Sequence, residues 1–347
     1  MEELLKMTGE ERSQIFQEAS ARSNIIKSST IFEKDFWVCW ILEKIFTIPD
    51  IRSYITFKGG TSLSKCFNII SRFSEDCDLT LDKEFLEIKE DTETILKMRS
   101  KQQIKFLNNL IKKSKDKINN TIKPLLIAKC REELSLYYNS NEWKIEADPE
   151  ENQSLLFYYP SNITDTKDEY IQSTIKLEFG ARGDTTPNEE KSISPYLHSA
   201  LPELFDHTPE INVKTLTAER TFWEKATLLH AEHHRKYDNP PKQARIFRHY
   251  YDMMMLERAN ITESALKDAS LLEKVVKNKT VFFRSAWANY ETAKIGSLCL
   301  SPADFFKNVL KQDCKKMAEM FFGEAPDFSK VMDNIKKIQE KINDFAQ

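Results

Sequence analysis

The use of glycine is the sequence feature that most constrains the backbone of this chain. The 347 residues include seven glycines, and two of them, Gly59 and Gly60, are adjacent. Average usage of about 7% would give roughly 24 glycines in a chain of this length. A chain so poor in glycine that places a pair at one point needs bare backbone there.

The glycine pair lies between two predicted elements. Residues 54–57 read as a short strand, and the segment from about Thr61 to Ser71 reads as a helix. A turn of this kind lets phosphate oxygens approach the backbone and meet the amides at the start of a helix. The pattern is weak by itself, because a Gly-Gly turn before a helix is more often only a tight turn.

A pair of acids follows on a predicted strand. Asp76 and Asp78 alternate with Cys77, Leu79 and Leu81, so the two carboxylates share one face of the strand. Two carboxylates in this arrangement can ligate one hard cation, and their mutual repulsion favours having one. A solvated polar face on an edge strand is the alternative.

A third acid occurs on a later predicted strand, residues 170–179. The apolar side chains in 175–179 face the core, so Lys176 and Glu178 project together to the opposite side. This order of features resembles the polymerase-β-like nucleotidyltransferases: a strand, a glycine turn, a helix, two acids on a strand and one acid on a later strand. In those enzymes three carboxylates hold two Mg²⁺ ions across a nucleoside triphosphate.

The order of predicted elements divides the chain in two. Residues 1–215 read as an α/β nucleotidyltransferase domain with N-terminal helices and a basic helical insertion at about 83–140, and 216–347 as an α-helical domain. The predicted class is α+β, a mixed sheet with helices followed by a helical half. Residues 180–214, with four prolines and two glycines, read as a long loop.

Composition excludes several classes of protein. The net charge of −3 does not fit a polybasic nucleic-acid coat, and the longest apolar run, Phe36–Leu42, is too short for a membrane span. No signal peptide is visible, so we expect a cytoplasmic location and no membrane partner. The six cysteines form no CxxC pair, which argues against a zinc or disulfide framework.

The insertion carries a strong local charge. Residues 97–131 hold eleven Lys or Arg and one acid, a net charge of +10 in a chain whose total is −3. Charge runs are usually solvated faces, but this one is a candidate contact for RNA phosphates. The candidate residues are Lys105, Lys112, Lys113, Lys115 and Lys117.

Lys225 lies in an apolar stripe of a predicted helix, where its neighbours one turn away are Thr221, Phe222, Leu228 and Leu229. Its charge is costly to bury unless it is paired. A bound triphosphate would pair it; alternatively, the ammonium extends to water. Arg248 and Asp252 are spaced as an ordinary i,i+4 salt bridge.

Three histidines follow on the same predicted helix, His230, His233 and His234. Two of them could ligate a metal, but we expect no cysteine or acid near them to complete a zinc set. The spacing therefore favours a substrate-facing or solvated cluster.

Motifs in residues 31–258 resemble the AbiEii-type nucleotidyltransferase toxins of bacterial toxin–antitoxin and abortive-infection systems. They occur in order as Glu33-Lys34-Asp35-Phe36-Trp37-Val38, Lys58-Gly59-Gly60-Thr61-Ser62-Leu63, Arg72-Phe73-Ser74-Glu75-Asp76-Cys77-Asp78-Leu79, Glu219-Arg220-Thr221-Phe222-Trp223-Glu224-Lys225 with Leu229-His230, and Arg248-His249-Tyr250-Tyr251-Asp252.

The resemblance implies roles for particular residues. Asp76, Asp78 and Glu178 would hold two Mg²⁺ ions and, with Lys176, carry the catalysis. Nucleotide contacts are expected from Gly59, Gly60, Thr61, Ser62, Lys65, Ser74 and Lys225, with Arg72, Arg248 and Asp252 supporting them.

The implied activity is the transfer of a nucleoside monophosphate from an NTP to a tRNA 3′ end or another RNA, which blocks translation. The resemblance also implies a cognate antitoxin. Two alternatives stay open: nucleotidylation or phosphorylation of protein side chains, and an inactive nucleotide-binding platform for a partner. The intact acids argue against the inactive platform.

Overall fold

A computed structural model describes residues 1–161, 173–236 and 245–345. The strands in these ranges are β1 (Ile55–Lys58), β2 (Cys77–Leu81), β3 (Lys144–Ala147), β4 (Ser154–Tyr158), β5 (Thr174–Gly180), β6 (Asn188–Ile193) and β7 (Ile211–Leu216). The helices are α1 (Glu2–Lys6), α2 (Gly9–Arg22), α3 (Ser29–Thr47), α4 (Pro49–Arg52), α5 (Gly59–Lys65), α6 (Thr92–Lys97), α7 (Ser100–Lys117), α8 (Lys123–Leu134), α9 (Tyr196–Ala200), α10 (Ala218–His233), α11 (Phe247–Arg258), α12 (Ile261–Leu266), α13 (Ser270–Phe282), α14 (Lys307–Lys316) and α15 (Phe328–Asp344). A π-helical turn, Ile118–Ile122, joins α7 to α8, and 3₁₀ turns lie at Pro202–Leu204, Tyr290–Thr292, Asp304–Phe306 and Ala318–Met320.

The strands form one mixed sheet in the order β3-β4-β5-β2-β1-β7-β6. At its centre β1 runs antiparallel to β2, and β2 runs parallel to β5. This sheet, followed by the helices α10 to α15, confirms the predicted α+β class. None of the helices in the described ranges is long and apolar enough to cross a bilayer.

The prediction of a long loop over residues 180–214 is wrong, because this interval contains β6, α9 and the start of β7. β6 is the edge strand of the sheet, and its sequence Asn-Glu-Glu-Lys-Ser-Ile is polar on both faces. An exposed edge strand needs no apolar alternation, so its sequence carries no period-2 signal. Of the strand predicted from residue 170, residues 170–172 lie outside the described ranges.

One face of the sheet is packed against α3. This helix is apolar around most of its circumference, and Phe36, Trp37 and Trp40 are fully buried. Trp40 stacks on Phe157 of β4 with ring centroids 5.8 Å apart. Because this face is filled by apolar side chains, the polar residues that alternate with them point to the opposite face of the sheet.

The two halves of the chain share their cores. The helical half has its own buried apolar cluster, but Leu63 and Ile70 from the front half belong to it. Val281 and Phe282 of α13 belong in turn to the cluster around the sheet.

Backbone hydrogen bonds also join the two halves. The amide of Phe73 donates to the carbonyl of Met320 at 2.7 Å, and the amide of Phe322 donates to the carbonyl of Ser71 at 2.9 Å. The segment that leads into β2 is therefore held between the two halves, which fixes the approach to Asp76.

Candidate active site

Strand register aligns three charged residues at the centre of the sheet. Lys58, the last residue of β1, is paired with Asp78 of β2, and Asp78 is paired with Glu178 of β5. Residues that are directly opposite on neighbouring strands project to the same face. Asp76 immediately precedes β2 and interacts electrostatically with Asp78 and Glu178. The structure thus brings together the three predicted carboxylates.

The electrostatics of this cluster favour a bound cation. Burial raises the pKa of Asp78, and the nearby charge of Asp76 raises it further, against the opposing attraction of Lys58. Burial and neighbouring carboxylates also raise the pKa of Asp76 and of Glu178. A hard cation with oxygen preference would relieve this repulsion, so the donor set fits Mg²⁺.

Lys176 binds Glu178 in this structure. Its ammonium lies 3.1 Å from Glu178 and 2.9 Å from Glu151. The oxygens of Asp76, Asp78 and Glu178 do not form a group within 4.8 Å of one another in the described residues. To close on one cation together with the two aspartates, the Glu178 side chain must turn away from Lys176.

The glycine pair makes room for side chains of the site. Gly59 has φ of +79°, and a Cβ there would lie 1.9 Å from Oδ2 of Asp78. A Cβ on Gly60 would lie 2.6 Å from Nη2 of Arg72 and 2.8 Å from Oγ of Ser74. The bare backbone that the sequence indicated is therefore required by the protein's own charged and polar groups. Ser74 lies beside the turn.

Thr61 and Ser62 are buried, and their hydroxyls are used within the turn. The Thr61 hydroxyl donates to the backbone carbonyl of Asp76 at 2.5 Å. The Ser62 hydroxyl donates to the carbonyl of Gly59 at 3.0 Å. These two contacts hold the glycine turn against the entry to β2, so both residues position the site in this structure.

The structure does not bring the Lys65 ammonium to the carboxylate cluster. It is buried 2.7 Å from Asp35 of α3 and lies 3.6 Å from the ring centroid of Tyr196. The backbone amide of Tyr196 also donates to Asp35. Lys65 therefore anchors α5 to α3 through an internal ion pair.

Asp252 of α11 is a fully buried carboxylate with two cationic partners. Arg72 donates to both of its oxygens at 2.8 Å, and Lys225 donates to Oδ2 at 2.8 Å. Burial alone would raise the pKa of Asp252, but Arg72 and Lys225 hold it well below its usual value.

This triad corrects two sequence interpretations. The Lys225 charge is paired by Asp252 in a buried position, so the ammonium does not extend to water. The i,i+4 salt bridge between Arg248 and Asp252 does not form, because Arg72 and Lys225 occupy Asp252.

Two cations beside the acids have no ion pair within the described ranges. Arg248 attracts both Asp76 and Asp78, and Lys58 attracts Asp78. A Cβ on Gly183 would lie 2.8 Å from the Thr80 hydroxyl and 3.4 Å from the Lys58 ammonium, so Gly183 lies beside Lys58 at ordinary contact distance. Sequence reasoning missed Lys58 as a site residue, although its place at the end of a strand before the glycine pair was a usable signal.

The three histidines at the end of α10 are buried to different degrees, and His233 and His234 are only half-buried. His230 is fully buried, and its Nδ1 accepts from the amide of Cys299 while Nε2 lies 3.1 Å from the carbonyl of Asn289. Cys299 also brings a sulfur within 4.8 Å of His230 and His234, so the expectation that no cysteine is near them is wrong. Both ring nitrogens of His230 are used in hydrogen bonds, which makes the cluster a link between α10 and the 289–299 segment.

The five lysines predicted to bind RNA lie on α7. Lys105 and Lys112 are exposed. Lys113 and Lys117 bind the carbonyl and the carboxylate of Glu87, and Lys115 donates to Asn152.

The family model described as "Nucleotidyl transferase AbiEii toxin, Type IV TA system" matches residues 40–340. The chain belongs to this family. Among solved structures, it is similar to MenT4, a nucleotidyltransferase toxin from Mycobacterium tuberculosis H37Rv, with 14% identity, a TM-score of 0.40, and coverage of 96% of this chain and 97% of that chain. No sequence among the curated proteins matches it. By this family assignment, the protein is a nucleotidyltransferase toxin.

Replacement of Gly59 by alanine tests the close approach to Asp78. Gly59→Ala should destabilise the fold by more than the roughly 1 kcal/mol cost of a left-handed alanine, because the new Cβ would also collide with Asp78. Gly323→Ala is the matched control, since Gly323 has φ of +80° and a Cβ there would meet nothing within 4 Å. Equal free energies of unfolding for the two variants would contradict the close approach of Asp78 to the backbone at Gly59.

Asp78→Asn tests whether burial and repulsion of the ionised Asp78 carboxylate destabilise the folded protein. The raised pKa of Asp78 means that its ionised form destabilises the folded protein above that pKa. Without divalent cations, Asp78→Asn should therefore melt above the wild type at pH 7, and the difference should shrink as the pH falls towards about 4. Asp116→Asn, at an exposed position, should show no such difference. If the Asp78→Asn variant melts at or below the wild-type temperature at pH 7, the ionised Asp78 carboxylate does not destabilise the fold.

Lys225→Met tests the buried triad. Removal of one cation leaves Asp252 with Arg72, so we expect a loss of about 1–3 kcal/mol in the free energy of unfolding. Asp252→Asn should cost more, about 3–5 kcal/mol, because it leaves two buried cations without their carboxylate. Urea unfolding at pH 7 measures both values. A Lys225→Met protein more stable than the wild type would mean that the pair does not stabilise the fold.

Proposed function

We propose that this nucleotidyltransferase toxin transfers a nucleoside monophosphate from an NTP to the 3′ end of tRNA in a Mg²⁺-dependent reaction in the cytoplasm. The observation that carries the proposal is the row of Lys58, Asp78 and Glu178 on adjacent strands, with Asp76 at its edge. It combines cation-binding carboxylates with a lysine that has no ion pair within the described residues. The proposed metal ligands are Asp76, Asp78 and Glu178, for two ions.

In the proposed reaction, the acceptor hydroxyl oxygen forms a bond to the α-phosphorus, and the bond from that phosphorus to the bridging oxygen of pyrophosphate breaks. The hydroxyl proton passes to water or to a carboxylate of the cluster. Bound Mg²⁺ would polarise the phosphate and favour ionisation of the hydroxyl. Lys58 and Arg248 would neutralise the charge that develops on the leaving pyrophosphate, with Ser74 beside them.

Lys176 has a separate role in this proposal. Its ammonium lies 3.1 Å from Glu178, and Glu151 offers a second partner at 2.9 Å. Glu178 can therefore be released to a metal without leaving Lys176 unpaired. Lys225, through Asp252, supports the site by fixing Arg72 beside the glycine turn.

The exposed lysines of α7 support an RNA acceptor. Lys105 and Lys112 face solvent, and the helix belongs to a segment with a net charge of +10. Neutralisation of RNA phosphates by such a surface releases counterions, so binding falls steeply with salt. The family also implies a cognate antitoxin as a partner, and blocked translation as the toxic effect.

The direct test is incubation of the pure protein with each labelled NTP, Mg²⁺ and total tRNA. We expect the label to enter tRNA, and to be lost on addition of a chelator and in Asp76→Asn. Asp116→Asn is the matched acid-to-amide control and should retain activity. If the label enters added protein instead of tRNA, the acceptor is a protein and the tRNA part of the proposal is wrong. If no acceptor is labelled, the whole proposal is overturned.

Charge reversal on α7 tests the RNA surface. The double variant Lys105→Glu with Lys112→Glu should bind tRNA more weakly, and the slope of log K against log salt should flatten by about 0.7–0.9 for each phosphate that the variant no longer neutralises. The control pair is Lys315→Glu with Lys316→Glu, two exposed lysines on α14. An unchanged salt slope for the α7 variant would show that its charges are only a solvated face.

A further inference from the structure

Lys34 is the middle residue of the motif Glu33-Lys34-Asp35 on α3, and all three side chains of this motif are buried. The Lys34 ammonium lies 2.7 Å from Oε2 of Glu75, the residue that precedes Asp76. Neither Lys34 nor Glu75 belongs to the acid cluster, although both lie in motifs that the sequence singles out. Their ion pair joins α3 directly to the segment that presents a proposed metal ligand.

Glu75 also binds a second cation. Nη1 of Arg245 lies 2.7 Å from Oε1 of Glu75, so each oxygen of this carboxylate binds one cation. The backbone at Arg245 is held from another side, because its amide donates to Oδ1 of Asp313 and the amide of Phe247 donates to Oδ2, both at 2.8 Å. Glu75 therefore lies where α3, the segment before β2 and the start of α11 meet.

Asp76 is in a different situation from its neighbour Glu75. Within the described ranges Asp76 has no ion pair, and the charges of Glu75 and Glu178 repel its carboxylate while Lys34 attracts it. Neighbouring Cα atoms are only about 3.8 Å apart, so a lysine that binds Glu75 lies close to the residue that follows. An ion pair between Lys34 and Asp76 would occupy an oxygen that the proposed metal needs.

We propose that Glu75 is a positioning residue of the active site: with Arg245 on its other oxygen, it binds Lys34 and so keeps this lysine off Asp76. This inference rests on the proposed function. A lysine as buried as Lys34 favours contact with a carboxylate, because an ionised group is costly to hold away from water. Removal of the Glu75 carboxylate would favour an ion pair of Lys34 with Asp76, and a metal would then have to displace the lysine.

The test compares the wild type with Glu75→Gln, with Lys34→Met and with the double variant that carries both substitutions. Glutamine keeps the size of Glu75 and removes its charge, and methionine keeps most of the length of the lysine side chain. Binding of Mn²⁺ is measured by electron paramagnetic resonance at pH 7 without RNA, in the absence and in the presence of a non-hydrolysable NTP analogue. Melting temperatures are measured alongside.

Glu133→Gln is the matched control. Glu133 of α8 binds Lys44, a buried lysine in the last turn of α3. Lys44 lies ten residues after Lys34 on this helix, which is about 15 Å along its axis. The control therefore removes a carboxylate from another buried lysine of the same helix, far from the one that binds Glu75.

We expect Glu75→Gln to bind Mn²⁺ about 10- to 100-fold more weakly, because the metal must displace a hydrogen bond between two charged groups. Lys34→Met should bind Mn²⁺ at least as tightly as the wild type, since the competitor is gone. The double variant should recover most of the wild-type affinity for the same reason. Glu133→Gln should match the wild type.

The double variant separates this role from two others. If Glu75 were only structural, or were itself a metal ligand, the double variant would bind Mn²⁺ as weakly as Glu75→Gln. That result, or wild-type affinity in Glu75→Gln, overturns the inference and leaves the proposed function standing. If Glu75→Gln alone does not fold, the double variant decides, because wild-type affinity supports the inference and weak binding overturns it. A wild type that binds no Mn²⁺ with or without the analogue overturns both proposals.

Discussion

The buried carboxylate of Asp252 connects the parts of the molecule on which the candidate active site depends. It binds Arg72 through both oxygens and Lys225 through one, and these three residues come from the segment before β2, from α10 and from α11. Removal of one member of such a group leaves uncompensated charge in the interior, which makes the group sensitive to substitution. Because Arg72 also packs against Gly60, the triad sets the path by which the chain enters β2 and so the positions of Asp76 and Asp78.

The cationic side chains near the sheet fall into two groups with different roles. Lys65, Arg72 and Lys225 are buried in ion pairs with Asp35 or Asp252 and join helices and the segment before β2 to one another. Lys58 and Arg248 have no ion pair in the described part of the chain and act electrostatically on the acid cluster. An enzyme that binds a metal–triphosphate needs cations of the second kind, since a lysine already bound to an internal carboxylate offers little to a substrate.

The sequence predicted the α+β class, and strand alternation indicated that Asp76 and Asp78 share one face of a strand and that Glu178 points away from the core, because side-chain direction follows directly from residue spacing. The sequence could not show which residues pair when they are far apart along the chain. Lys225 lies 27 residues from its partner Asp252, and Lys65 lies 30 residues from its partner Asp35, so both lysines were interpreted as phosphate ligands. The polar edge strand β6 and the approach of Cys299 to His230 were missed for the same reason, since each depends on tertiary packing. Lys58 shows no sequence pattern of its own beyond the glycine pair that follows it.

The most direct measurement is a crystal structure of the protein with Mn²⁺ and a non-hydrolysable NTP analogue, with the metal located by anomalous scattering. We expect Mn²⁺ on Asp76, Asp78 and Glu178, with Glu178 turned away from Lys176 and the triphosphate against Lys58 and Arg248. Manganese found elsewhere, for example at His230 and Cys299, or a nucleotide bound away from the acids, would contradict this arrangement.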